Sequence, residues 1–107
     1  MGGRNQEAAL AAAIALEGRP NVAVMCFATD GVDGLTPAVQ PPHAGAIITG
    51  ESASAARAAI PAIDPAAALA AHDSFSFAKA SGAAIKTGLT GTNVNDIWVG
   101  LAYGAET

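Results

Sequence analysis

Three polar, glycine-rich segments hold most of the side chains in this 107-residue chain that could do chemistry. They are Gly2-Gly3-Arg4-Asn5-Gln6-Glu7, Thr29-Asp30-Gly31-Val32-Asp33-Gly34 and Thr87-Gly88-Leu89-Thr90-Gly91-Thr92-Asn93. The first leads into an alanine-rich helix. Two glycines there let the backbone turn tightly and expose the first amide N–H groups, which with the helix dipole suit an anion. Arg4 adds a planar, permanently charged fork that matches a carboxylate or phosphate. Such a start is normally the second half of a strand–loop–helix unit, and the strand is missing. The expectation is a chain that forms part of a larger active site.

In the second segment, two carboxylates three residues apart among glycines can approach a metal or hold a substrate hydroxyl. They can equally cap local amides in an Asp-Gly turn. An EF-hand loop is excluded, because its ligand run and terminal glutamate do not follow. The third segment offers hydroxyls and amides to a phosphate, or makes an ordinary hairpin turn. It is neither a Walker loop nor a dinucleotide fingerprint. Asn93, Asn95 and Asp96 also read as turn caps. Cys26, inside an apolar run and without a neighbouring histidine, reads as a small core residue. His43 and His72 read as solvent-facing or capping. Phe75, Phe77 and Trp98 read as core or domain-contact residues.

These residues need elements to position them. Asn5 to Glu17 reads as a helix ended by Gly18 and Pro20. Val22 to Ala28 reads as a central strand buried on both faces. A loop over Thr29 to Pro42 leads to a strand at Gly45 to Thr49 and a helix at Glu51 to Ala59. Asp64-Pro65 starts a helix running to about His72, and Asp73-Ser74 starts another through Ala80. A short strand at Ala83 to Thr87 and a last one at Asp96 to Tyr103 complete the chain, with an antiparallel hairpin as the reading of that pair. The alternation predicts a layered α/β domain with a mixed, mostly parallel β-sheet flanked by helices.

Composition bounds the function. The length suits one domain, and the 51% of apolar residues are largely alanine, so the core should be thin and closely packed. A formal net charge of −4 with five Lys+Arg leaves no basic stripe for nucleic acid. Nothing suggests a membrane segment, and the alanine run Ala8 to Leu16 lacks the basic start of a signal peptide. One cysteine allows no internal disulfide. A cytoplasmic protein is the expectation.

The three segments, the third extended through Val94-Asn95-Asp96, occur in this order and spacing, and Asp64-Pro65 with His72-Asp73-Ser74-Phe75 adds a fourth match. Together they resemble the carboxy-terminal MOFRL domain of the class II glycerate 2-kinases, a family also labelled hydroxypyruvate reductase. The resemblance spans almost the whole chain and implies that residues 1–107 are this domain of a two-domain enzyme. That enzyme transfers the γ-phosphoryl of ATP to the 2-hydroxyl of D-glycerate with Mg²⁺. An amino-terminal domain would supply a catalytic lysine, and the active site would lie between the domains. Arg4 would contact the glycerate carboxylate or the transferring phosphate. Asp30 would bind metal or orient the attacking hydroxyl, with Asp33 as second choice. Gly3, Asn5, Thr90, Thr92 and Asn93 would line the substrate or phosphate site. No metal ligand set is assigned to this chain alone, and no cofactor is expected to stay tightly bound to it. The partners implied are the amino-terminal domain and a glycerate-like hydroxy acid, with a homodimer as the assembly considered.

One segment departs from the family pattern. Leu35 to His43 is longer, carries three prolines, and places His43 before Ala44-Gly45-Ala46, where an acidic residue is common. Two other readings stand beside the kinase. One is a hydroxypyruvate reductase domain, against which the absent dinucleotide fingerprint argues. The other is a non-catalytic interaction or assembly module.

Overall fold

The computed structural model describes residues 1–104. Its elements are α1 (Arg4–Ala15), β1 (Val22–Ala28), β2 (Gly45–Thr49), α2 (Ser52–Ala58), α3 (Pro65–Ala70), α4 (Ser74–Ser81), β3 (Ala84–Ile85) and β4 (Asp96–Ala102). Three of the helices start on the local signals the sequence offers. Gly3 precedes α1 in extended backbone. Asp64 accepts a hydrogen bond from the Ala67 amide, with Pro65 in the first turn of α3. Asp73 accepts from the Ser76 amide, and Gly82 closes α4 in the left-handed region.

The four strands form one sheet in the order β3-β2-β1-β4. Every pairing among them is antiparallel. The α/β layering therefore holds, but the mostly parallel sheet does not. Parallel neighbours need a crossover, usually helical, that carries the chain back along the sheet. No helix lies between β1 and β2, and the three helices α2 to α4 all fall between β2 and β3. The expected hairpin of the last two strands is also absent: β3 pairs with β2, and β4 pairs with β1 at the opposite edge.

The core lies on one side of the sheet. Ala9, Leu10 and Ala13 of α1 pack with Cys26, Ala46, Ile48, Ala56, Ala68, Phe77 and Ala78. The strand residues in this set are all even-numbered, as alternation along a strand requires. β1 is central in order but covered by helices on only one face, so the expectation of burial on both faces is corrected. Phe77 and Phe75 are buried as expected, whereas Trp98 is largely exposed. The alanines let backbones approach, and at Gly45 a Cβ would lie 1.9 Å from the Cys26 carbonyl oxygen. Among the described residues, no helix is long and apolar enough to cross a membrane.

Candidate functional site

The organising residue is Asp33. Its carboxylate accepts from the backbone amides of Asn5 (3.2 Å) and Gln6 (2.8 Å), at the first turn of α1. It also accepts from the side-chain amides of Asn5 and Gln6, at 3.1 Å each. Asp33, Asn5 and Gln6 are all buried. The helix start thus binds an anion, as its geometry suggests, and that anion is the chain's own carboxylate. Gly3 is required for this, because a Cβ there would lie 2.5 Å from Asp33 Oδ1. Gly34 is likewise required: its φ is +65°, and a Cβ would lie 2.1 Å from the Gly2 carbonyl oxygen. Gly2 and Leu35 exchange backbone hydrogen bonds of 2.8 Å in both directions, tying the start of the chain to the acidic loop.

The amide orientations fix a tautomer. Gln6 Nε2 donates to Asp33 O and Oδ2, so Gln6 Oε1 faces His43 Nδ1 at 2.8 Å and His43 must donate. His43 is buried and stacked on Phe75, with ring centroids 4.0 Å apart at 11°. Burial, then the charges of Lys86 and Lys79, push its pKa below the ordinary imidazole value. The reading of His43 as solvent-facing or capping is corrected. His72 is exposed, facing Glu7 at 3.0 Å.

On the other side of the helix start, Asn5 Nδ2 donates to Asp96 Oδ1 at 3.0 Å, and Trp98 Nε1 donates to Asn5 Oδ1 at 2.6 Å. Arg4 forms an ion pair with Asp96. The Arg4 guanidinium, followed by the Asn5 amide, holds the Asp96 carboxyl below its usual range. The same hydrogen bond raises the Arg4 pKa further. Arg4 itself stands largely in solvent, so its fork remains accessible to a ligand.

The two remaining loops are stitched together beside this cluster. Thr29 Oγ1 donates to Asn95 O and accepts from the Val94 amide. Thr90 Oγ1 donates to Thr29 O, and the Thr90 amide donates to Asp30 O. At Gly31, with φ +94°, a Cβ would lie 2.0 Å from the Gly88 carbonyl oxygen. Asp30 Oδ1 accepts from the Val32 amide as a local turn cap, and among the described residues no hydrogen bond engages its other oxygen. Thr92 and Asn93 are exposed, and Asn93 Oδ1 accepts from the Asn95 amide.

All the sequence-derived site residues therefore gather at one end of the sheet. They divide by environment. Arg4, Thr90, Thr92 and Asn93 are exposed and Asp30 is half-buried, whereas Asn5 and Asp33 are buried scaffold. Sequence reasoning gives Asp96 only a turn cap and gives Gln6, His43 and Trp98 no role at the site. Asp96 sits six residues beyond Thr90 in the same polar run, which is the available signal. Gln6 lies in the first polar segment and His43 stands out before Ala44-Gly45-Ala46, but nothing local pairs the two. No group of three or more histidine, cysteine or acidic residues among the described residues could hold a metal. Burial pushes the Cys26 thiol up, in keeping with an unreactive core residue.

Comparison with known proteins places this geometry. The MOFRL family pattern matches residues 1–96. A D-glycerate 2-kinase from Thermotoga maritima is 48% identical over 101 residues, covering 94% of this chain and 22% of that protein. An Agrobacterium vitis protein that carries the provisional name hydroxypyruvate reductase is 45% identical over 96 residues, covering 90% of this chain and 20% of its own length. The crystal structure of a Thermotoga maritima glycerate kinase superposes with a TM-score of 0.84 at 47% identity, over 96% of this chain and 23% of that one. The chain thus spans less than a quarter of the length of these relatives. Since the family pattern runs from the glycine-flanked helix start through the Arg4 partner Asp96, this chain belongs to the MOFRL family.

Proposed function

We propose that this chain is the carboxy-terminal domain of a D-glycerate 2-kinase and forms one wall of its active site. The observation that carries the reading is the packing of the Asp33 loop and of Asp96 against the start of α1, with the Thr90 loop stitched to Thr29 beside them and Arg4 left largely in solvent. Relatives named D-glycerate 2-kinase and glycerate kinase support it.

Phosphoryl transfer asks a protein for positioning and for positive charge near the equatorial oxygens, more than for covalent chemistry. Arg4 is the residue suited to that charge. Asp96 holds its guanidinium in place until a carboxylate or phosphate competes for it. Thr90, Thr92 and Asn93 line the adjoining loop as hydrogen-bonding groups for the substrate. Asp30 keeps one carboxylate oxygen uncommitted, which fits either Mg²⁺ or the attacking hydroxyl of the acceptor. Mg²⁺ commonly takes one or two carboxylates and completes its shell with phosphate oxygens and water, so a single carboxylate from this domain fits it. Bound there with ATP, the metal would supply charge neutralisation. The catalytic lysine and most of the nucleotide site belong to the amino-terminal part, so the isolated chain should turn over little substrate.

The test uses a full-length chain in which these residues replace the matching 101-residue segment of the Thermotoga maritima enzyme. ATP-dependent phosphorylation of D-glycerate is expected, and Arg4→Ala should lower kcat/KM by about 10²–10³-fold, the scale of losing one preorganised charge donor. NADH oxidation by hydroxypyruvate without phosphorylation would instead select the reductase reading.

A further inference from the structure

β4 is an edge strand with the composition of an interior one. From Ile97 to Ala102 it contains no charge and no proline. Soluble proteins normally protect a long edge with lysine, proline, a bulge or a covering loop. Its outward face, shared with Met25, Phe27 and Ile47, leaves Ile97 39%, Val99 46% and Leu101 57% exposed. On the helix side Trp98 is 61% exposed, and a Cβ built on Gly100 meets nothing within 4 Å. A glycine inside a strand with open space above it suits the close approach of another backbone.

The unused backbone groups can be named. The Thr29 amide donates to Asn95 O, and the Tyr103 amide donates to Asn21 O. The odd-numbered residues of β4 therefore turn their N–H and C=O groups toward β1. Alternation directs those of Trp98, Gly100 and Ala102 to the free edge. Among the described residues, no strand pairs with that edge.

We infer that β4 is a docking strand: its free edge receives an extended segment from the remainder of the full-length protein, whose apolar side chains cover both sides of β4. Relatives carry more than three quarters of their length outside the matching segment. A segment in the same polypeptide is present at an effective concentration near the millimolar range, whereas a second copy must arrive from solution. The placement also serves the site. Asp96, which holds Arg4, is the first residue of β4, so a segment paired along this strand fixes the rest of the protein against the cluster around Arg4. The inference rests on the reading of this chain as one domain of a longer kinase.

Hydrogen exchange resolved by residue tests it, comparing this chain alone with the full-length chimera. Exchange of the Trp98, Gly100 and Ala102 amides should be fast in the chain alone and at least tenfold slower in the full-length protein. The Ala9, Leu10 and Ala13 amides of α1 report folding in both. Equal exchange of the three edge amides in the two proteins would overturn the inference. So would protection in the chain alone accompanied by a dimeric mass from light scattering, which would assign the edge to a second copy. If the chimera fails to fold, the remaining part of the Thermotoga maritima enzyme is added in trans and the same amides are read: slowing supports the docking strand, and unchanged exchange overturns it. Leu101→Lys should leave the melting temperature of the chain alone unchanged and lower that of the full-length protein. Arg4-dependent phosphorylation with fast edge amides sinks the docking strand and keeps the kinase. Slow edge amides without phosphorylation do the reverse.

Discussion

At the residue scale, one carboxylate does most of the organising. Asp33 accepts from two backbone and two side-chain amides at the start of α1, so it caps the helix from a distant loop. Asp33→Asn replaces an acceptor-only group by one that turns an NH₂ toward existing donors. We expect a loss of about 2–3 kcal/mol, the scale for hydrogen bonds to a buried charge, measured by urea unfolding. His43 makes a second prediction. Its pKa is depressed in the fold, first by burial. As pH falls through the ordinary imidazole value, the unfolded chain binds a proton that the folded chain resists. Stability is therefore fully present above about pH 6.5 and declines below it. The melting temperature of His43→Gln should fall less than that of the parent between about pH 7 and pH 5. An equal decline would show that another group carries the dependence.

At the scale of elements, α3 and α4 rely on side-chain caps. α3 is six residues long, and its start rests on the Asp64 carboxylate and Pro65. Asp64→Ala should cost about 1 kcal/mol, the usual worth of an N-cap, without altering ligand affinity, because the Asp64 carboxylate takes no part in the polar contacts of Arg4. A calorimetric scan alongside a glycerate titration separates the two effects. The loops behave differently. The segments after β1 and before β4 hold each other through Thr29 and Thr90, so neither keeps its shape alone. This mutual dependence explains why each looks like a common turn in isolation.

At the scale of the molecule, among the described residues, the helices cover one face of an antiparallel sheet and leave the other face and the β4 edge open. The exposed Arg4, the Asp30 loop and the threonine loop stand at one end of that sheet. Such a half-lined surface suits a wall better than a complete pocket. We expect the 107-residue chain alone to phosphorylate glycerate at no more than the uncatalysed rate, and the full-length chimera to restore turnover. A coupled ADP-release assay decides it, and robust turnover by the chain alone would remove the need for a second wall.

Much of this is legible in the amino-acid order. Capping residues and apolar runs locate every helix and strand to within a few residues, because local chemistry decides where an element starts and stops. The three polar segments are recognisable together, since their residue types and order carry the family pattern. Strand direction is not legible: hydrophobic alternation is the same for either direction, and only the path of the connections across the sheet makes it antiparallel. Nor does spacing alone separate Asp30 from Asp33, which only the family resemblance ranks. Both are loop carboxylates beside glycine, and their roles part only where Asp33 folds under α1 and Asp30 stays near solvent. His43 and Gln6 meet for the same reason, through a contact 37 residues apart that no local pattern encodes. The sequence by itself determined the elements, their caps and the family. Tertiary structure alone decided which polar groups became buried scaffold and which were left free to meet a ligand, because burial is a property of the packed chain and not of any one segment.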